Sequence, residues 1–135
     1  MANDALLAWI EVADRDVRSI RNNLFGPEPE AGVAAYHCQQ AAEKLVKAVL
    51  LAGGTNPPRI HDIDALVDRL PPNHSLLPIL RPFGRFTEYF SALRYPSASP
   101  FDDPPDDPTL KEVASWLAEI EDVRAEVVVY LKLGS

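Results

Sequence analysis

From Ala34 to Leu51 the chain reads Ala-Ala-Tyr-His-Cys-Gln-Gln-Ala-Ala-Glu-Lys-Leu-Val-Lys-Ala-Val-Leu-Leu, with no glycine or proline. Good helix formers fill this run, so it reads as one long helix from about Glu30 to Ala52, stopped by Gly53-Gly54. Leu45, Val49 and Ala52 fall on one side of it, with Cys38, Ala41 and Ala42 nearby, which makes an apolar stripe at helical spacing. Tyr36, Gln40, Glu43, Lys44 and Lys47 recur at steps that share a second, polar face. The alanines keep the helix slim and allow close neighbours. A helix of this kind packs into a core and still offers polar groups to a groove.

The remaining segments fit around it. Leu6, Ile10, Ala13, Val17, Ile20 and Leu24 follow alternating four- and three-residue steps, which predicts a first helix from about Asn3 to Leu24. Asn3 or Asp4 can cap it, and Gly26, Pro27 and Pro29 end it. Trp9 lies off this stripe and marks a second contact surface. A short helix is expected from His61 to Leu70, capped by Asp62, with Ile63, Leu66, Val67 and Leu70 inward. Pro78 and Pro82 cannot both sit inside one regular helix. The expectation there is a loose turn from Ser75 to Leu80, then a helix from Pro82 to Leu93 with Phe83, Phe86, Tyr89 or Phe90, and Leu93 inward. Thr109 and Glu112 have capping-box spacing. They open a last helix whose inward residues are Leu110, Val113, Trp116 or Leu117, Ile120, Val123, Val127 and Leu131. The fold class is all-α: an up-and-down bundle of four main helices plus one short helix, in one domain spanning residues 1–135.

Composition narrows the possible roles. The 135 residues suffice for one core without covalent staples. One cysteine excludes an internal disulfide and makes a cysteine-based metal cluster improbable. The net charge is −7, of which the stretch Asp102-Asp103-Pro104-Pro105-Asp106-Asp107 supplies four, leaving −3 for the rest. No basic stripe is present, which argues against a dedicated duplex-DNA binder. No apolar run has the length of a membrane span and the amino end lacks a basic region, so a cytoplasmic, membrane-free protein is expected.

Few residues carry an obvious chemical pattern. Glu43 and Lys47 form an i, i+4 pair in the favourable order, which on a solvated face is worth only a few tenths of a kcal/mol. Gln40 can bind a base or satisfy a backbone group at a helix junction. Lys44 and Lys47 are candidate phosphate contacts or simply solvated lysines. His37 reads as a core or interface histidine bonded to one neighbour. His61-Asp62 reads as a helix-start device, with Asp62 capping and His61 packing at the loop. His74 adds no metal-ligand spacing, so neither a metal nor a cofactor is expected. Ser97 and Ser99 lack a neighbouring base. The 102–107 run reads as a solvated acidic loop, or as a surface for a cation or basic partner.

Taken together, Gln39-Gln40-Ala41-Ala42-Glu43-Lys44 through Lys47, then His61-Asp62, then Arg94-Tyr95-Pro96, resemble the HEPN family over nearly the whole chain. The resemblance implies a helical bundle paired as a homodimer. Many members associate with a minimal nucleotidyltransferase in toxin–antitoxin pairs or nucleotide-modifying complexes, and others are metal-independent ribonucleases. The ribonuclease pattern is an Arg followed, after four to six residues, by a His. Here Arg94 is followed at those positions by Ser99, Pro100 and Phe101, none of which carries protons as His does. This argues against nuclease activity. The Arg-Tyr-Pro form is similar to the nucleotidyltransferase-linked branch. The resemblance therefore implies a groove lined by Arg94, Tyr95, Gln40, Glu43, Lys44 and Lys47 that holds a nucleotide or partner segment, with Glu43 reaching Arg94 across the bundle. A divergent ribonuclease using Arg94, and a non-catalytic structural dimer, are the alternatives.

Overall fold

The computed structural model of the chain describes residues 2–92 and 107–132. The described chain is helical: α1 (Ala2–Phe25), α2 (Ala31–Ala52), α3 (Ile63–Val67), α4 (Leu77–Leu80), a 3-10 segment (Arg81–Phe86), α5 (Tyr89–Ala92) and α6 (Leu110–Leu131). It is an all-α bundle in which α4, the 3-10 segment and α5 together fill the place of the fourth main helix.

α2 is the axis of the bundle, packing on α1, α6, α3, the 3-10 segment and α5. Its alanines make this possible. Ala34, Ala35, Ala41, Ala42 and Ala48 are fully buried, so neighbours come close on several sides at once. Leu45, Val46, Val49 and Leu50 add side-chain burial, each worth about 1.5–3 kcal/mol. The single apolar stripe expected for this helix is therefore too narrow. Ala52, assigned to it by spacing, is exposed, because the helix emerges from the bundle there. The C-terminus closes in a Schellman motif. Thr55 N–H donates to Leu50 O and Gly54 N–H to Leu51 O, both at 3.0 Å. Gly54, at φ 89°, takes the left-handed position, while Gly53, at φ −83°, does not.

The outer helices keep their predicted stripes. Leu6, Ile10, Ala13, Ile20 and Leu24 of α1 are buried, and Val17 packs at the edge. α1 begins at Ala2, so Asp4 lies within its first turn rather than at the cap. Trp9 packs against the core with its ring under the Lys47 ammonium, 5.8 Å from the ring centre. On α6, Thr109 and Glu112 form the capping box, and Val113, Leu117, Ile120, Val123, Val127 and Leu131 are buried. Leu110 is 43% exposed and belongs to the surface, one turn too early to reach the core. Trp116 packs beside the core on Phe86 and Tyr89. Arg124 grips Asp14 with two nitrogens at 2.6 and 2.9 Å, tying α6 to α1.

The segment after Ser75 differs most from the expectation. The chain turns helical at Leu77 despite Pro78, which sits at the helix start, where its missing N–H costs nothing. Pro82 then enforces a tighter 3-10 path in place of a regular helix from Pro82 onward. That path sets Phe83 and Phe86 into the core at zero exposure. Tyr89 packs on the core, and Phe90 faces a different set of rings. Leu93 lies outside the described residues.

Candidate functional site

The polar line of α2 is not a solvated face. Glu43 is 1% exposed and Lys47 is 5% exposed, and Gln39, one residue before Gln40, is fully buried. Such groups are tolerated inside a bundle only when every polar atom is partnered. Lys47 Nζ donates to Glu43 Oε2 at 2.9 Å, and Lys44 Nζ lies 3.6 Å from the same oxygen. Gln39 Nε2 donates to Glu43 Oε1 at 2.9 Å and to the backbone oxygen of His61 at 3.2 Å. Gln40 Nε2 donates to Gln39 Oε1, and Lys44 Nζ donates to Gln40 Oε1 at 3.1 Å. Among the described residues no buried side-chain polar atom is left without a partner.

Glu43 is the hub of this network, and its fourth partner comes from outside α2. His61 Nδ1 donates to Glu43 Oε1 at 2.9 Å across a sequence separation of 18 residues. Burial alone would push the Glu43 carboxyl up. Hydrogen bonds from Lys47, Gln39 and His61, with the Lys44 charge beside them, outweigh that and hold it below its ordinary 4.5. An ionised carboxylate only accepts, so the His61 Nδ1 that faces it carries a proton, while Nε2 has no hydrogen-bond partner among the described residues. The His61 side chain is 46% exposed. One face of its ring stacks on Phe90 of α5 with centroids 3.9 Å apart, and Tyr36 stacks beyond Phe90 at 6.4 Å. His61 is thus more than a loop-packing residue at a helix start. Asp62 does cap α3, accepting from Ala65 N–H at 3.3 Å.

The predicted site residues divide in two. Gln40, Glu43, Lys44 and Lys47 converge in one network, whereas Arg94 and Tyr95 lie outside the described residues, as do Ser97, Ser99, Pro100, Phe101 and residues 102–106 of the acidic run. The expected reach of Glu43 to Arg94 therefore falls outside the described residues. Within them the Glu43 carboxylate already has four partners. Gln39 and His61 are the members that periodicity did not single out. Gln39 stands at i, i+4 from Glu43, which was the available signal. The His61 contact depends on how the loop returns and has no sequence signature.

Other polar features are separate from this cluster. His37 Nδ1 pairs with Asp16 Oδ1 of α1 at 2.9 Å, which is the single-neighbour role expected of it. His74 accepts from Leu76 N–H through Nδ1 and bonds Tyr130 Oη through Nε2, both at 3.1 Å. Burial pushes the Cys38 thiol up to about 12, against an opposing Arg85 charge, which makes it inert at neutral pH. Among the described residues, no group of three potential ligands could hold a metal, and no helix is long and apolar enough to cross a membrane. An open groove of about 500 Å³ lined by Ile79, Pro82, Ala118 and Val123 is mainly apolar and holds none of the network residues.

Comparison with curated proteins and with solved structures returns no match. The HEPN domain model matches residues 6–130, from the first core leucine of α1 to the penultimate residue of α6. With that match over nearly its whole length, the chain belongs to the HEPN family.

Proposed function

We propose that this HEPN domain is a nucleotide-binding and assembly module that works as a homodimer beside a minimal nucleotidyltransferase, in a toxin–antitoxin-type or nucleotide-modifying system. The observation that carries the reading is the buried Glu43, whose partners hold two lysines and a partly exposed imidazole at one place on the bundle. A carboxylate so placed is saturated. It serves to fix donors that a phosphate can use, and it is not free to act as a base. Arg94 follows Phe90 by four residues in sequence, and Phe90 is the ring stacked on His61. In this reading Arg94 and Tyr95 complete the groove, with the guanidinium fork on the phosphate or on a partner carboxylate.

Two measurements test it. Binding of a nucleotide panel to the wild type and to Arg94→Ala should show a folded variant with weakened binding; equal binding counts against Arg94. Purification of the tagged chain from its own cells at mild salt should bring down a stoichiometric nucleotidyltransferase. Recovery of the homodimer alone removes the partner from the proposal.

A second reading, a divergent metal-independent ribonuclease, draws support from the same pair. A carboxylate-fixed imidazole is a proton carrier that the Arg94 segment itself lacks. Cleavage of RNA in the presence of chelator, lost in Arg94→Ala, would establish it; absence of cleavage leaves the binding module.

A further inference from the structure

α6 packs chiefly on α2 and α1, and between α6 and the α4–3-10 segment the bundle stays open. Two hollows there, of about 500 and 440 Å³, share Ile79, Asp122 and Val123 and form one groove. Its α4 wall is Pro78, Ile79 and Pro82. The two prolines offer no backbone N–H, so this wall is apolar in its main chain as well. The α6 wall is low, because Ser115, Ala118 and Ala125 are small, and all three are exposed. Val129, 75% exposed, continues that line of α6 by one more turn. From Ser115 to Glu126 the groove follows α6 for about 16 Å, the length of three helical turns.

The charges at its edge are of one sign. Glu119, Asp122 and Glu126 follow one another on α6 at steps of three and four, and no residue lining the groove is basic. Arg85 pairs with Glu119, and Arg81 is taken by Asp68 at 2.7 Å. Asp122 and Glu126 are exposed and have no ion pair among the described residues. Two like charges one turn apart weaken a helix slightly, and a cation beside them relieves that repulsion. The apolar walls and the carboxylate rim together therefore suit an occupant that is apolar on one face and cationic beside it.

We infer that this groove docks a helix of another protein, about three turns long, whose apolar face is flanked by lysine or arginine. The small residues of α6 admit such a helix at the usual axis separation of about 8–10 Å. Its cations meet Asp122 and Glu126, which stand toward the C-terminal end of α6 and so set the direction of the docked helix. A second copy of the chain does not supply this helix from α1. That helix bears exposed Arg15 and Arg18, but its large exposed apolar residues, Leu7 and Phe25, stand about 27 Å apart, beyond the length of the groove. The groove holds none of the Glu43 network, so this docking stands apart from the nucleotide-binding reading.

The test is selection of a random displayed peptide library, with members long enough for about four helical turns, on the immobilised full chain. An enriched peptide is then measured by fluorescence anisotropy. Enriched sequences are expected to place apolar residues at helical spacing with lysine or arginine beside them. Binding should weaken with added salt, and should fall at least about tenfold in the double variant Asp122→Lys, Glu126→Lys and in Ala118→Trp. A counterpart peptide with glutamate at each basic position should lose binding to the wild type and prefer the double variant. No enrichment, enrichment of acidic or proline-broken sequences, or an enriched peptide that binds both variants as well as the wild type overturns the proposal. Dissociation of a dimer by Ala118→Trp in sedimentation makes the groove a contact between copies and overturns it as well. The counterpart peptide is read on the wild type, so the charge requirement is decided even if a variant does not fold.

Discussion

Lys47 and Glu43, one turn apart on α2, form an ion pair inside the bundle, with the ammonium 2.9 Å from a carboxylate oxygen and side-chain exposures of 7% and 1%. The same spacing on a surface helix contributes a few tenths of a kcal/mol. Inside a core the consequences of disturbing it are asymmetric. Removing one partner strands the other charge, at a cost of about 3–5 kcal/mol, whereas removing both strands neither, although Gln39 and His61 lose their carboxylate acceptor in either Glu43 variant. Urea unfolding of Glu43→Leu, Lys47→Met and the double variant should therefore be strongly non-additive, with the double variant more stable than Glu43→Leu alone. Additive losses would mean that the pair is solvated.

The depressed Glu43 carboxyl links this hub to pH. Its folded value lies below the unfolded 4.5, so the unfolded chain binds the proton more readily. The stabilisation is therefore complete well above pH 4.5 and is lost as pH falls through the folded value. The stability advantage of the wild type over Glu43→Gln should be constant near neutrality and shrink on acidification below about pH 4.5. A gap that widens on acidification would contradict this assignment.

The two glycines that close α2 are not equivalent. Gly54 stands at φ 89°, where a Cβ is strained, and Gly53 at φ −83° has only ordinary contacts to a Cβ, the nearest at 3.5 Å. Gly54→Ala should cost about 1–2 kcal/mol. Gly53→Ala should be neutral or slightly stabilising, by up to about 1 kcal/mol, because it restricts the unfolded chain. Thermal melts of the two variants check this, and equal effects would contradict the Schellman geometry.

Cys38 provides a probe of the core beside the network. With its thiol pushed up to about 12 by burial, it should resist thiol reagents at neutral pH in the native protein and react fully in denaturant. Fast native labelling would mean that α2 is accessible.

Spacing and punctuation made much of this fold legible. The stripes of α1 and α6, the Thr109–Glu112 box, the Asp62 cap and the Gly53-Gly54 stop are all local, so a sequence states them directly. The environment of α2 was harder to read. An i, i+4 Glu–Lys pair has the same spacing whether water or protein surrounds it, and only the alanines on several sides of the helix hint that it is encased. The break at Pro82 was visible, but not the 3-10 path beyond it, which follows from how Phe83 and Phe86 reach the core. The His61–Glu43 contact joins a loop to a helix over 18 residues, and no period encodes such a return. Gln40, Glu43, Lys44 and Lys47 were found by their shared face, whereas Gln39 offered only its i, i+4 spacing from Glu43 and His61 became apparent only from side-chain geometry.

The central claim is that the Glu43 network presents a ligand-binding head at His61 and Lys44, beyond bracing the bundle. The most direct measurement is an NMR titration of the isotopically labelled full chain with AMP, following the His61 ring nitrogens and the Lys44 ammonium. The account predicts that the His61 Nε2 resonance moves first and furthest, with Lys44 following and His37 and His74 unchanged. Saturation with AMP that leaves His61 and Lys44 in place, or shifts confined to the Ile79–Val123 groove, would contradict it.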